Sequence, residues 1–241
     1  MKLSKGKSIL VLFLLTAFFG YSQSTSEFFT KADAFFKEYV KDGKVKYSQL
    51  KKNTAALDEL VQLAEGVSVS KDNIKEYQAF WINGYNISVI KTVVANYPMK
   101  SPLDKSGFFD EIKHTIGGEN ISLNGIENTL LRANFPKEAR FHFVLVCAGL
   151  GCPPIIGTAY LPSSLEVQLE EQTKIALNNP NFIKVTKKRV KISQIFEWYT
   201  KDFTQGGLSL VDYINKYRKE KLAEKSKMSF YPYDWTLNQI K

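Results

Sequence analysis

The stretch from Ile74 to Tyr97 constrains this chain more than any other. It places Tyr77, Phe80, Trp81, Tyr85, Val89, Ile90, Val93 and Val94 within one continuous run. At 3.6 residues per turn these positions cover more than one face, which predicts a helix buried nearly all round. The remaining elements then have to surround it. Ser70 is read as its N-cap, and Pro98 lies just past its end, where a helix stop belongs.

Shorter signals fill in the rest. Ser26 reads as a cap for a helix over Glu27–Val40, with Phe28, Phe35, Phe36 and Tyr39 near one face. Asp42-Gly43 turns the chain into a short Val45–Tyr47 strand, and Ser48 caps a helix running to about Ala64. Segments 111–116 and 119–123 flank Gly117-Gly118 as a hairpin, and Ser122 opens a helix with Ile126, Leu130 and Leu131 inward. The run Phe141–Cys147 reads as the one strong, central strand. A helix over Leu165–Leu177, strands near 182–186 and 189–192, and helices at 194–203 and 209–219 follow. The aromatic tail Phe230–Trp235 packs back on the body. Helices outnumber strands without alternating with them. The predicted class is therefore α+β: a central buried helix and flanking helices on a small, mainly antiparallel sheet.

The N-terminus has the pattern of an export signal. Lys2, Lys5 and Lys7 precede the apolar run Ile9–Phe19, which is shorter than the roughly 20 residues of a membrane span. Gly20 and Ser22 are small residues at the expected cleavage point, and no cysteine lies there to carry a lipid. Residues 1–22 are expected to be removed, leaving 23–241 as one domain that is secreted or periplasmic, with no membrane span. The formal charge of +9 falls by three with the leader. The excess is concentrated at Lys184–Lys191 and Lys216–Lys227. A solvated face is the simplest reading, with weak contact to anionic envelope components as the alternative. No nucleic-acid module accompanies the charge. No metal-ligand spacing, phosphate-cradling glycine loop or serine-nucleophile elbow occurs, so neither a metal nor a cofactor is expected.

Several blocks, in order, resemble the domain of unknown function 547 family. They are Phe80-Trp81-Ile82-Asn83-Gly84-Tyr85-Asn86, Ile126 through Arg132, Arg140-Phe141-His142-Phe143 continuing to Cys152-Pro153-Pro154, Phe196 through Tyr199 with Asp202-Phe203, and Tyr233-Asp234-Trp235. The resemblance covers about residues 40–236. A looser similarity to papain-like and transglutaminase-like folds implies a central helix packed on a sheet that carries a catalytic histidine. In those enzymes the central helix begins with the nucleophilic cysteine, whereas Tyr77–Asn83 contains none.

The chemical candidates follow from residue type. His142 can serve as a general base at neutral pH, or be a hydrogen-bonded core histidine. Glu127 can orient it or pair with Arg132. His142 is expected within hydrogen-bond reach of Glu127 or Asn83. Asn83 and Asn86 are amides in a buried helix, so they hold loops or line a pocket. Trp81, Tyr85, Trp198 and Tyr199 are core rings that can also wall a ligand cleft. His114 reads as exposed and without a role.

Cys147 and Cys152 are the chain's two cysteines, and an oxidising destination favours a bridge between them. Cys152 as nucleophile is the competing reading. On a straight strand His142 would lie roughly 16 Å from Cys147 and point to the opposite face. Two functions from different classes remain. One is a hydrolase or acyl-transferase acting on an extracytoplasmic peptide or amide, with His142, Glu127, Asn83 and Cys152 as its site and Trp81, Tyr85, Asn86, Arg132 and Trp198 around it. The other is a non-catalytic binding or envelope-assembly domain stapled by a disulfide, its ligand a small molecule or peptide.

Overall fold

A computed structural model describes residues 25–186 and 189–240. The expected leader and its expected cleavage point lie outside these residues. Helix α1 (25–39) runs into a hairpin of β1 (Val40–Lys41) and β2 (Lys44–Val45), closed by Asp42 and Gly43 at φ 51° and 74°. Both turn residues need positive φ, which Asp-Gly supplies at low steric cost. Ser26 sits inside the first turn of α1, and its carbonyl accepts a hydrogen bond from the Thr30 hydroxyl. The second helix predicted to Ala64 is two pieces, α2 (Tyr47–Lys52) and α3 (Ala55–Gly66), broken at Asn53 and Thr54. Tyr47 therefore opens a helix instead of ending a strand.

Helix α4 (Ile74–Asn96) is the centre of the molecule. From Tyr77 to Ile90 every residue is buried. Ser70 does not cap it; Asn73 holds that position, and Ser70 Oγ accepts from Asp72 N in the turn before. Helix α1 packs on α4 through Phe28 and Phe80, with ring centroids 5.0 Å apart. Strands β3 (Lys113–Ile116) and β4 (Glu119–Ser122) form the expected hairpin, with Gly117 and Gly118 both at positive φ. Ser122 caps the next turn, α5 (Leu123–Gly125), through Gly125 N. The chain then widens into a π-helix over Ile126–Arg132.

The largest departure falls at Phe141–Cys147. Ala139–Phe143 is a 3-10 helix, and the residues after it join no sheet. A short apolar run does not distinguish a strand from a buried turn. What decides is where its backbone hydrogen bonds go. Val144 O accepts from Asn86 Nδ2 at 3.0 Å, Val146 N donates to Asn86 Oδ1 at 2.9 Å, and Cys147 N donates to Cys152 Sγ at 3.0 Å. A side chain of α4 and a sulfur thus take the place of a strand ladder.

Helix α6 (Leu165–Asn178) matches its prediction closely. Strand β5 (Ile183–Thr186) pairs antiparallel with β6 (Arg189–Ser193), and β7 (Lys227–Tyr231) joins β6 in parallel. Between them lie α7 (Ile195–Trp198), α8 (Thr200–Phe203) and α9 (Leu210–Tyr217). The class is α+β, with three small separate sheets where one was expected. Two apolar clusters result, one around α4 and one formed by α6 to α9 with β5 and β6. Residues 139–146 contribute to both, and Cys152 packs against both. No helix among the described residues is long and apolar enough to cross a membrane.

Candidate active site

A cleft of about 340 Å³ opens at the seam between the two clusters. Glu127, His142, Cys147 and Cys152 all line it, together with Tyr85, Trp198, Tyr199, Tyr233 and Trp235. His142 reaches it from the 3-10 helix. That helix is anchored by Arg140, which binds Glu138 and, from α6, Glu166. The His142 side chain is almost wholly buried, with Nε2 2.8 Å from Asp202 Oδ2. Its ring stacks on Tyr199, centroids 4.0 Å apart and planes at 28°.

Asp202 thus stands where Glu127 or Asn83 was expected. Arg132 Nε donates to the same Asp202 Oδ2 at 2.7 Å, and the Arg132 guanidinium also bonds Asn128. Burial alone would raise the Asp202 carboxyl, but His142 and Arg132 together hold it well below the usual carboxylate range. Glu127 lies beside Tyr199 in the cleft lining instead. Burial first, and then the Glu127 charge, push that phenol well above its ordinary value.

The two sulfurs lie 2.7 Å apart and are unbridged. Tyr233 Oη is 2.8 Å from each of them. The loop between the cysteines is shaped by its backbone: Ala148 has φ 62°, and Gly151 lies against the chain at Tyr233 and Asp234. A Cβ on Gly151 would sit 2.8 Å from Asp234 N, so only glycine lets the loop close onto Tyr233. Burial opposes ionisation of both thiols. At Cys147 the hydrogen bonds from Cys152 and Tyr233 outweigh it and lower the thiol. At Cys152 burial and the Cys147 sulfur push the thiol well up. The more acidic sulfur is therefore Cys147, whereas the reading that competes with a bridge takes Cys152 as the nucleophile. The strand-based separation of His142 from Cys147 falls with the strand, because both side chains face one cleft.

Other candidates take different places. Asn83 does not reach the cleft: its amide donates to Ala79 O and Tyr160 O and accepts from Tyr160 N, so it ties residue 160 to α4. Asn86 holds the Val144–Val146 segment and so positions the cleft wall from behind. Trp81 is core, packed on Phe80 and Tyr77. Arg132 anchors Asp202 without lining the cleft. Trp198, read as a core ring that can also wall a cleft, lines the cleft and is 47% exposed. His114 is buried, and its pKa is lowered to about 4 by burial and by Lys91. Asp202, Tyr233 and Trp235 have no role assigned from sequence alone, although all three lie in the quoted blocks. Among the described residues no three of His, Cys, Asp and Glu converge as metal ligands.

Residues 69–175 match the model of a family described as "Protein of unknown function, DUF547". Over these residues the chain is similar to the DUF547 family. The match is narrower than the span of about 40–236 that the blocks suggested. The matched part supplies Glu127, His142 and both cysteines. Asp202, Trp198, Tyr199, Tyr233 and Trp235 lie beyond it. No curated protein and no solved structure matches the chain.

Proposed function

We propose that the cleft is the active site of a thiol-dependent hydrolase or acyl-transferase acting on a peptide or other amide outside the cytoplasm. One observation carries this reading: the Cys147 sulfur lies within hydrogen-bond distance of Cys152 and Tyr233, in the same cleft as the His142–Asp202 pair. Asp202 occupies Nε2 of His142, which leaves Nδ1 to exchange protons with substrate. With the Cys147 proton on His142, the thiolate attacks the substrate carbonyl carbon and a C–S bond forms. The C–N bond then breaks as His142 gives its proton to the leaving amine. Water, losing a proton to His142, attacks the thioester; the C–S bond breaks and the thiolate returns. An amine or alcohol in place of water makes the same step an acyl transfer. Tyr233, hydrogen-bonded to the sulfur, steadies the thiolate.

Alkylation of the reduced protein with iodoacetamide, followed by peptide mapping, tests the nucleophile. Cys147 should react first, and Cys147→Ser should abolish hydrolysis of a p-nitrophenyl ester. Ester hydrolysis unchanged by Cys147→Ser would remove the reading.

The second reading is a binding or envelope-assembly domain in which Cys147 and Cys152 form a disulfide. It is favoured by the 2.7 Å separation of the sulfurs and by the outward-facing aromatic wall. An intact mass lower by two hydrogen atoms, restored by reductant, would identify the bridged form. Both readings include export, on the strength of residues 1–22. They also allow weak contact with anionic polymers through Lys184, Arg189, Lys191 and Lys227, which stand exposed on the β5–β6–β7 sheet.

A further inference from the structure

We infer that the cleft selects a ligand bearing a cationic amine or quaternary ammonium group, held between the Glu127 carboxylate and the aromatic wall. This deepens the reading of the cleft as a substrate site and rests on it. The charge pattern is local and runs against the molecule as a whole. The chain carries a formal +9, yet no lysine or arginine lines the cleft, and Glu127 is the one carboxylate among its lining residues. Arg132, the nearby guanidinium, is engaged by Asp202 and Asn128 and lies over the Tyr199 ring, so Glu127 acts on it only through space and after Asp202. Glu127 lies beside Tyr199 in the lining, and a carboxylate has room for about four donors.

The aromatic wall supplies the second half. Trp198 stacks on Trp235 with centroids 6.1 Å apart and planes at 25°, and lies 5.2 Å from Tyr233. Tyr233 and Trp235 are 4.6 Å apart, and Phe109 backs Trp235 at 6.0 Å. This packing holds Trp198 rigid while leaving it 47% exposed. A large ring fixed by its neighbours yet open to solvent presents a π-face at little conformational cost. Such faces attract a cation within about 6 Å of the centroid, and more strongly where water is excluded. Tyr85 extends the aromatic lining beside Glu127, whereas the Tyr199 ring is already taken by His142 and by the Arg132 guanidinium 4.7 Å from its centroid. A neutral ligand of equal shape would use the rings and gain nothing from the carboxylate.

Choline and 3,3-dimethylbutan-1-ol have nearly the same shape and differ in charge, so they test this directly. Binding is measured by calorimetry on the Cys147→Ser protein, which removes thiol chemistry from the readout. Choline should bind about tenfold or more tightly than the alcohol, a difference of about 1.4 kcal/mol. Glu127→Gln should bring the two affinities close together without weakening the alcohol, and Glu127→Asp should keep the preference for choline. Trp198→Ala, at an exposed position that the fold tolerates, should weaken both. Equal affinities, or a choline preference that survives Glu127→Gln, would overturn the inference. A choline preference in a protein whose Cys147 proves unreactive would remove the catalytic reading and leave the ligand class standing. A reactive Cys147 without the preference would do the reverse.

Discussion

His142 and Asp202 lie 60 residues apart in sequence and 2.8 Å apart in space, joined Nε2 to Oδ2. The same oxygen also accepts from Arg132, so one carboxylate ties a 3-10 helix, a π-helix and α8 together. The pairing fixes the imidazole against Tyr199. Two consequences of that carboxylate are measurable.

On the proposed activity, Asp202→Asn should lower turnover by about 10²–10⁴-fold, because the imidazole loses the carboxylate that orients it. The pH dependence of stability gives a second readout. The Asp202 carboxyl is held below the usual range in the folded protein, so its contribution is present above the ordinary aspartate value of about 3.9 and fades as pH falls below it. In urea titrations the wild type's advantage over Asp202→Asn should therefore persist from pH 7 to 5 and shrink in stronger acid.

His114 should act in the opposite sense to a salt-bridged histidine. Its folded-state pKa is lowered from 6.5 to about 4. The unfolded chain takes up this proton first as pH falls. Stability is thus full above about 6.5 and lost progressively towards pH 4, by on the order of 2–3 kcal/mol for this one group. Denaturation curves of His114→Gln should be flatter than the wild type's across that window. An equally steep loss in the variant would place the acid sensitivity elsewhere.

Two tryptophans should respond differently to truncation. Trp81 is 2% exposed, so Trp81→Ala should cost about 3–5 kcal/mol. Trp198 is 47% exposed, and Trp198→Ala should cost below about 1 kcal/mol. Chemical denaturation compares the two, and similar losses would mean that the Trp198 wall is part of the core.

Asn86→Ala should both destabilise the protein and disturb the cleft. It leaves Val144 O and Val146 N buried without the amide that now bonds them. Each orphaned group costs about 1–3 kcal/mol. Faster amide hydrogen exchange at Val146 should accompany the loss. Protection unchanged from wild type would show that another partner can replace Asn86.

Amino-acid sequence alone determined the elements whose signals are local. Burial of α4 follows from apolar residues on every face. The β3–β4 hairpin follows from two glycines that adopt positive φ, and α6 follows from its own periodicity and its Asn-Asn-Pro stop. The same local signals misread Phe141–Cys147, because an apolar run states only that it is buried. Whether its backbone bonds to a strand or to the amide of Asn86 is settled by what packs beside it. Only the tertiary structure decided the partner of His142, since nothing near it in the chain distinguishes Asp202 from Glu127. It also decided that Tyr233 meets both sulfurs, that Trp198 faces solvent and that His114 does not. Helix and turn preferences arise from contacts a few residues apart. A cleft is assembled from side chains whose meeting depends on how two apolar clusters close around a shared segment.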